Sequence, residues 1–165
     1  MRIRMNRSDF DALADGELGA ACFAPIVPLI RGRSPEAKRE AYRGLTPGLQ
    51  GLFMFHVYFD HAKHSAEQFY WWTAHYAAQP DAWAELSGGL QALGAAELAK
   101  ALADAKQALA GRIGDAELGD LAKDEDLRGT VEQLYSEFLR LTQEAAERIG
   151  RAIRSRPGDF VEFLD

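Results

Sequence analysis

Apolar residues recur along this chain at spacings of three and four almost from end to end, which is the period of one face of an α-helix. Strand-like patterning is scarce: residues 26–30, IVPLI, offer the one β-branched run, and the proline within it weakens that reading. Helix start and stop signals fit the same period. Ser8 reads as the cap of a short first helix bearing Phe10 and Leu13, and Asp15-Gly16 as a turn. A second helix is predicted from about Glu17 toward Ile30, where Pro25 and Pro28 must kink, end or split it. Ser34-Pro35-Glu36 and Thr46-Pro47 each place a capping side chain before a proline at the first helical position. The first of these helices stops at Gly44, and the second ends near Lys63-His64.

Ser65-Ala66-Glu67-Gln68 reads as a capping box that opens the next helix at once, so the two are predicted to form an antiparallel hairpin. Nine of the 17 aromatic residues and all four histidines lie in this stretch, residues 52–76. Its first helix is apolar nearly all round, as expected of a helix buried in a core. Pro80-Asp81 opens a helix with Trp83, Leu86, Leu90 and Leu93, in which Gly88-Gly89 lowers helicity. A leucine stripe follows in residues 95–113, then an acidic, loop-like segment at 114–126. A long helix runs from Leu127, with a restart at Thr142, to about Arg154, and Pro157-Gly158 ends it. Phe160 and Phe163 in the tail are placed to dock on the core. The expectation is an all-α fold, a single domain over residues 1–165: a bundle of about seven or eight helices around a central aromatic-rich antiparallel hairpin.

Charge changes the picture in one respect. Residues 1–50 carry eight basic and six acidic side chains, whereas residues 114–165 carry seven and thirteen. An acidic C-terminal third argues against direct nucleic-acid binding, which needs Lys and Arg to displace counterions from phosphate, and fits a protein partner. A partner-facing set is therefore expected at Asp120, Asp124, Glu125 and Asp126, with Trp71 as an aromatic anchor. The apolar surplus of the central helices points further to a homodimer. The lone Cys22 excludes an internal disulfide and sits in an apolar run, where a thiol behaves as a small buried hydrophobe. With no apolar leader behind the basic N-terminus and no run long enough to span a bilayer, a cytoplasmic chain with no membrane association is expected.

Candidate chemistry centres on His56, Asp60 and His64. Spacings of four put imidazole and carboxylate on one helical face, as a zinc, iron or manganese site would need. The competing reading is structural, with His56 hydrogen-bonded to Asp60. No cofactor is expected beyond that divalent metal, and no nucleophile or oxyanion hole is marked, so a binding domain is expected rather than a catalyst.

Residues 90–106, LQALGAAELAKALADAK, with the closing RAIRSRPGDFVEF, resemble a widespread bacterial helical family of unknown function that includes a DNA-mimic protein. That resemblance implies an all-helical fold over about residues 50–163. It also implies acidic side chains, spaced like phosphates, that occupy a DNA-binding partner. Three functions thus stand: a protein-binding helical domain, a DNA mimic acting through the acidic C-terminal third, and a metal-binding protein using the histidine-rich hairpin.

Overall fold

The computed structural model describes residues 1–164. Ten α-helical segments follow one short strand and precede another: β1 (Ile3–Asn6), α1 (Arg7–Ala12), α2 (Asp15–Phe23), α3 (Val27–Ile30), α4 (Pro35–Arg43), α5 (Pro47–Ala62), α6 (Ala66–Ala77), α7 (Pro80–Ala92), α8 (Ala96–Ala108), α9 (Asp120–Lys123), α10 (Glu125–Ser155) and β2 (Val161–Leu164). Among the described residues, α2, α4, α5, α6, α7, α8 and α10 are nine residues or longer, and with α1, the short first helix, they match the seven or eight expected. The fold is all-α. No described helix is long and apolar enough to cross a membrane.

α5 and α6 form the central hairpin. Tyr58 pairs with Tyr76 (ring centroids 5.4 Å apart) while His61, farther along α5, stacks on Trp72, earlier in α6 (4.2 Å); the two helices therefore run antiparallel. Ser65 caps α6 by accepting from the Gln68 amide (3.1 Å), but the Gln68 side chain turns away and accepts from Trp72 Nε1 (3.2 Å), so only half of the expected capping box forms. In the middle of the hairpin the buried Tyr58 hydroxyl meets Thr73 Oγ1 at 2.7 Å, and the Thr73 hydroxyl donates to the Phe69 carbonyl at 2.6 Å, leaving no buried polar atom there without a partner. α10 closes this side, placing Phe138 against Tyr58, Phe59 and Phe69. One continuous buried cluster runs from Ile3 to Val161.

Two helix pairs approach more closely than ordinary side chains permit. Gly51 of α5 faces Gly89 of α7, where an added Cβ on Gly89 would lie 2.8 Å from the Gly51 Cα. Gly150 of α10 faces Asp15 of α2, where an added Cβ would lie 1.9 Å from the Asp15 carbonyl oxygen. Gly88-Gly89, a weakness in helix propensity, is thus half a packing device.

Several local expectations are corrected. Asp15-Gly16 is no turn: both residues begin α2, where Glu17 reaches back to the Ala14 amide (3.0 Å). Pro25 and Pro28 split the predicted second helix into α2, a 3₁₀ turn at Ala24–Ile26 and α3. The cap of α1 falls at Asn6 rather than Ser8. The Thr46 hydroxyl does not cap α5 but donates to the Asp159 carbonyl. The Thr142 restart is absent: α10 is one helix of 31 residues, and the Thr142 hydroxyl donates to the Leu139 carbonyl within it (2.7 Å). A further difference lies at the termini. β1 and β2 pair in parallel, Ile3 opposite Val161 and Asn6 opposite Leu164, forming a two-stranded patch on an otherwise helical molecule. It seats the two tail phenylalanines: Phe160 is fully buried and Phe163 packs edge-on against Phe10 (5.2 Å).

The adjacent glycines of α7 provide a direct test of the close approach. A Cβ at Gly88 meets nothing within 4 Å, so Gly88→Ala should stabilise by about 0.5–1 kcal/mol through helix propensity. Gly89→Ala gains the same propensity but drives Cβ into the α5 backbone, and should destabilise by about 2 kcal/mol or more. Urea denaturation of the two variants is expected to move the midpoint in opposite directions.

Candidate functional site

The three residues read as a metal face part company in the structure. His56, on α5, turns into the seam with α2: its ring stacks on Phe23 (4.7 Å between centroids, 9° between planes) and meets Phe55 edge-on (5.1 Å). Asp60, one turn later, pairs with Lys63 (2.7 Å) at the half-exposed rim. His64 lies beyond the end of α5, in the turn before α6, and is exposed. Among the described residues no three His, Cys, Asp or Glu side chains are gathered where they could hold one metal ion. His56 and Asp60 lie four residues apart on α5, but the helix stops before His64 and aromatic stacking claims the first imidazole.

Burial against two aromatic rings pushes His56 down to about 4. Asp60 and the backbone of Gly19 oppose that shift and Lys63 assists it, but desolvation dominates. The imidazole is therefore neutral at pH 7. Cys22, on the same helix as Gly19, is fully buried, and burial pushes its thiol up to about 11, so it is a core side chain and not a nucleophile.

The acidic segment is also used differently from the expectation. Asp120 accepts from the Tyr70 hydroxyl (2.6 Å) and from the Glu117 amide (3.0 Å), contacts that hold its carboxyl below the usual range. Asp124 caps α10 through the Leu127 amide (3.0 Å) and pairs with Arg112 (2.8 Å). Glu67 accepts from the Gly119 amide (2.6 Å), tying the segment to α6. Glu125 and Asp126, in the first turn of α10, are exposed. Of the four acids expected to face a partner, three therefore make bonds inside the chain, Glu125 with Arg128 (3.4 Å) being the third, and the segment contains a short helix, α9, rather than only loop.

Trp71 lies on α6. Its indole is half-buried, stacks on His75 (4.8 Å, 11°) and meets Trp72 edge-on (4.9 Å). Trp72 in turn stacks on His61 (4.2 Å, 14°). The result is a ridge of four rings, His61, Trp72, Trp71 and His75, ordered against one another along the outer side of the hairpin. His61 also lines a groove of about 330 Å³ between α3, α4 and α5. Phe23, Val27, Ile30, Phe53 and Val57 form its apolar walls, and Arg31, Lys38 and Asp60 carry its charges. Ridge and groove thus meet at His61. The groove residues of α3 were missed in the sequence, although PIVPLI held a signal: a short apolar run broken twice by proline has few of its own turns to bury it. Leu29 on that run is 43% exposed.

Compared with protein-family models, with curated proteins and with solved structures, this chain matches none.

The state of His56 has a consequence for stability. Its folded pKa, about 4, lies below the ordinary value of 6.5, so between those values the unfolded chain binds a proton that the folded chain refuses. Stability from this group is complete above pH 6.5 and is lost as pH falls toward 4. Unfolding measured at pH 7 and pH 5 should differ by up to about 2 kcal/mol from this source. His56→Phe, which keeps the stack on Phe23, is expected to remove that part of the difference; an unchanged difference would show that His56 titrates normally in the fold.

Proposed function

We propose that this chain is a protein-binding helical domain whose partner contributes an amphipathic helix with acidic flanks, seated in the groove of α3, α4 and α5. The observation that carries this reading is the continuity of the apolar groove with the ordered ring ridge at His61. An apolar channel beside stacked aromatics is the form that helix-in-groove recognition takes, with anchors at i, i+3 or i+4 and i+7. Stacking fixes the Trp71 and Trp72 rings before contact, which lowers the entropy lost on binding. The charge of the partner follows from the rim: Arg31 and Lys38 line the groove, and Arg33, Arg39 and Arg43 lie in the same stretch of chain.

Mimicry of DNA by the acidic C-terminal third has less in its favour, because Asp120 and Asp124 already serve Tyr70, Arg112 and the cap of α10.

Selection from a displayed library of helical peptides tests the proposal with a defined probe. Enriched sequences should show the apolar spacing with Asp or Glu at the flanks, and their affinity should fall as salt rises. Val57→Asp is expected to weaken them at least tenfold and Trp71→Ala roughly five- to thirtyfold, in the range of interface anchors. Ala103→Asp, on the exposed side of α8, should leave them unchanged. Selected peptides indifferent to Val57→Asp would refute the groove as the site. A dimer in sedimentation that Val57→Asp dissociates would give the groove to a second copy of the chain instead.

A further inference from the structure

A second cavity, separate from the groove, opens where α2 and α10 cross α5. It measures about 250 Å³ and is lined by Phe55, Phe59 and Ile149, by the imidazole of His56, and by Ala20 and Ala146 toward its mouth. Thr142 and Gln143 complete its polar lining, and no Asp, Glu, Lys or Arg side chain is part of it. A cavity of about 150 Å³ walled by apolar side chains is large enough for benzene, so this one has room for a fused pair of rings. Without a charged group on its walls it would discriminate against ions, whose lost hydration nothing would replace.

The polar handle is specific. The His56 ring lines the cavity and is neutral at pH 7. A neutral imidazole keeps one N–H and one bare ring nitrogen, and the bare nitrogen can only accept. The hydroxyl of Thr142 has already donated to the Leu139 carbonyl and is likewise left as an acceptor. Phe23 and Phe55 hold the His56 ring in a fixed orientation. An apolar pocket with a few fixed acceptors selects a flat apolar ligand that carries a donor.

We propose that the cavity between α2, α5 and α10 binds a small, neutral, bicyclic aromatic molecule carrying one N–H or O–H, which donates to His56. The site owes nothing to the partner groove and stands or falls separately from it.

Indole and 1-methylindole are the probes, since they differ in shape by one methyl group and in chemistry by the loss of the donor. Titration calorimetry on the whole chain should show one saturable site for indole, with 1-methylindole roughly five- to tenfold weaker, the worth of one hydrogen bond. His56→Phe should bring the two to equal affinity by weakening indole. Ala146→Phe, which fills the mouth from a half-exposed position, should abolish binding of both while the far-UV spectrum and melting temperature stay close to those of the parent. Absence of saturable indole binding up to its solubility limit would overturn the proposal, as would binding that survives Ala146→Phe. Equal affinity of the parent chain for the two probes would overturn the role of His56. If His56→Phe fails to fold, the Ala146→Phe arm and the probe pair still decide.

Discussion

The close approach of Gly150 to Asp15 is the constraint on which the rest of the arrangement hangs. α10 is the longest element, and α2 lies against it so closely that any side chain at position 150 would collide with the α2 backbone. Arg154, one turn along, locks the contact: its guanidinium pairs with Asp15 (2.6 Å) and donates to the carbonyls of Phe10 and Leu13. A guanidinium shared between a carboxylate and two carbonyls uses its rigid fork where a lysine would supply one point charge. With α2 pinned there, Phe23 at its far end meets His56, and the space between α2, α5 and α10 becomes a cavity instead of packed core. The Gly51–Gly89 contact does the equivalent on the other side of α5, so the central hairpin is gripped between two glycine-mediated seams.

The elements legible in the sequence were those specified locally. Ser34 and Ser65 cap where a hydroxyl before a proline or before a Glu-Gln pair says they should. Pro25 and Pro28 break the helix because no neighbour can replace the lost amide. What escaped was specified by distant partners. Residues 3–6 alternate weakly over four positions, and only their register with residues 161–164 makes a strand of them. Gly16, Gly89 and Gly150 look like punctuation or like weakness when read along the chain, yet Gly89 and Gly150 are requirements of helices that arrive from elsewhere. Thr142 read as a restart because its hydroxyl competes for backbone groups in isolation; inside α10 it bonds to the preceding turn and the helix continues.

The candidate site was legible in composition but not in geometry. Concentration of histidine and tryptophan in the hairpin marked the stretch that holds the ring ridge, and Trp71 is half-buried within it. Spacing could not say that the four imidazoles would separate: His56 goes inward to Phe23, His61 and His75 become stacking partners of Trp72 and Trp71, and His64 falls past the helix end. A ring that stacks on an indole or a phenyl spends its face on dispersion, which competes with the inward convergence a metal demands. Acidic residues carried a similar ambiguity, because a carboxylate near a helix start is as useful for capping as for display, and Asp124 does the former.

Phe23 belongs to both of the apolar openings described. One side of it lines the groove of α3, α4 and α5; its face stacks on His56, which lines the cavity toward α10. Two rings at 4.7 Å are therefore the wall between the two openings. Keeping an imidazole in that wall costs stability as pH falls, a cost that a phenylalanine at position 56 would avoid while filling the same space. Packing alone gives no reason to retain it. The property that phenylalanine lacks is a ring nitrogen able to accept a hydrogen bond, on a ring that lines the cavity.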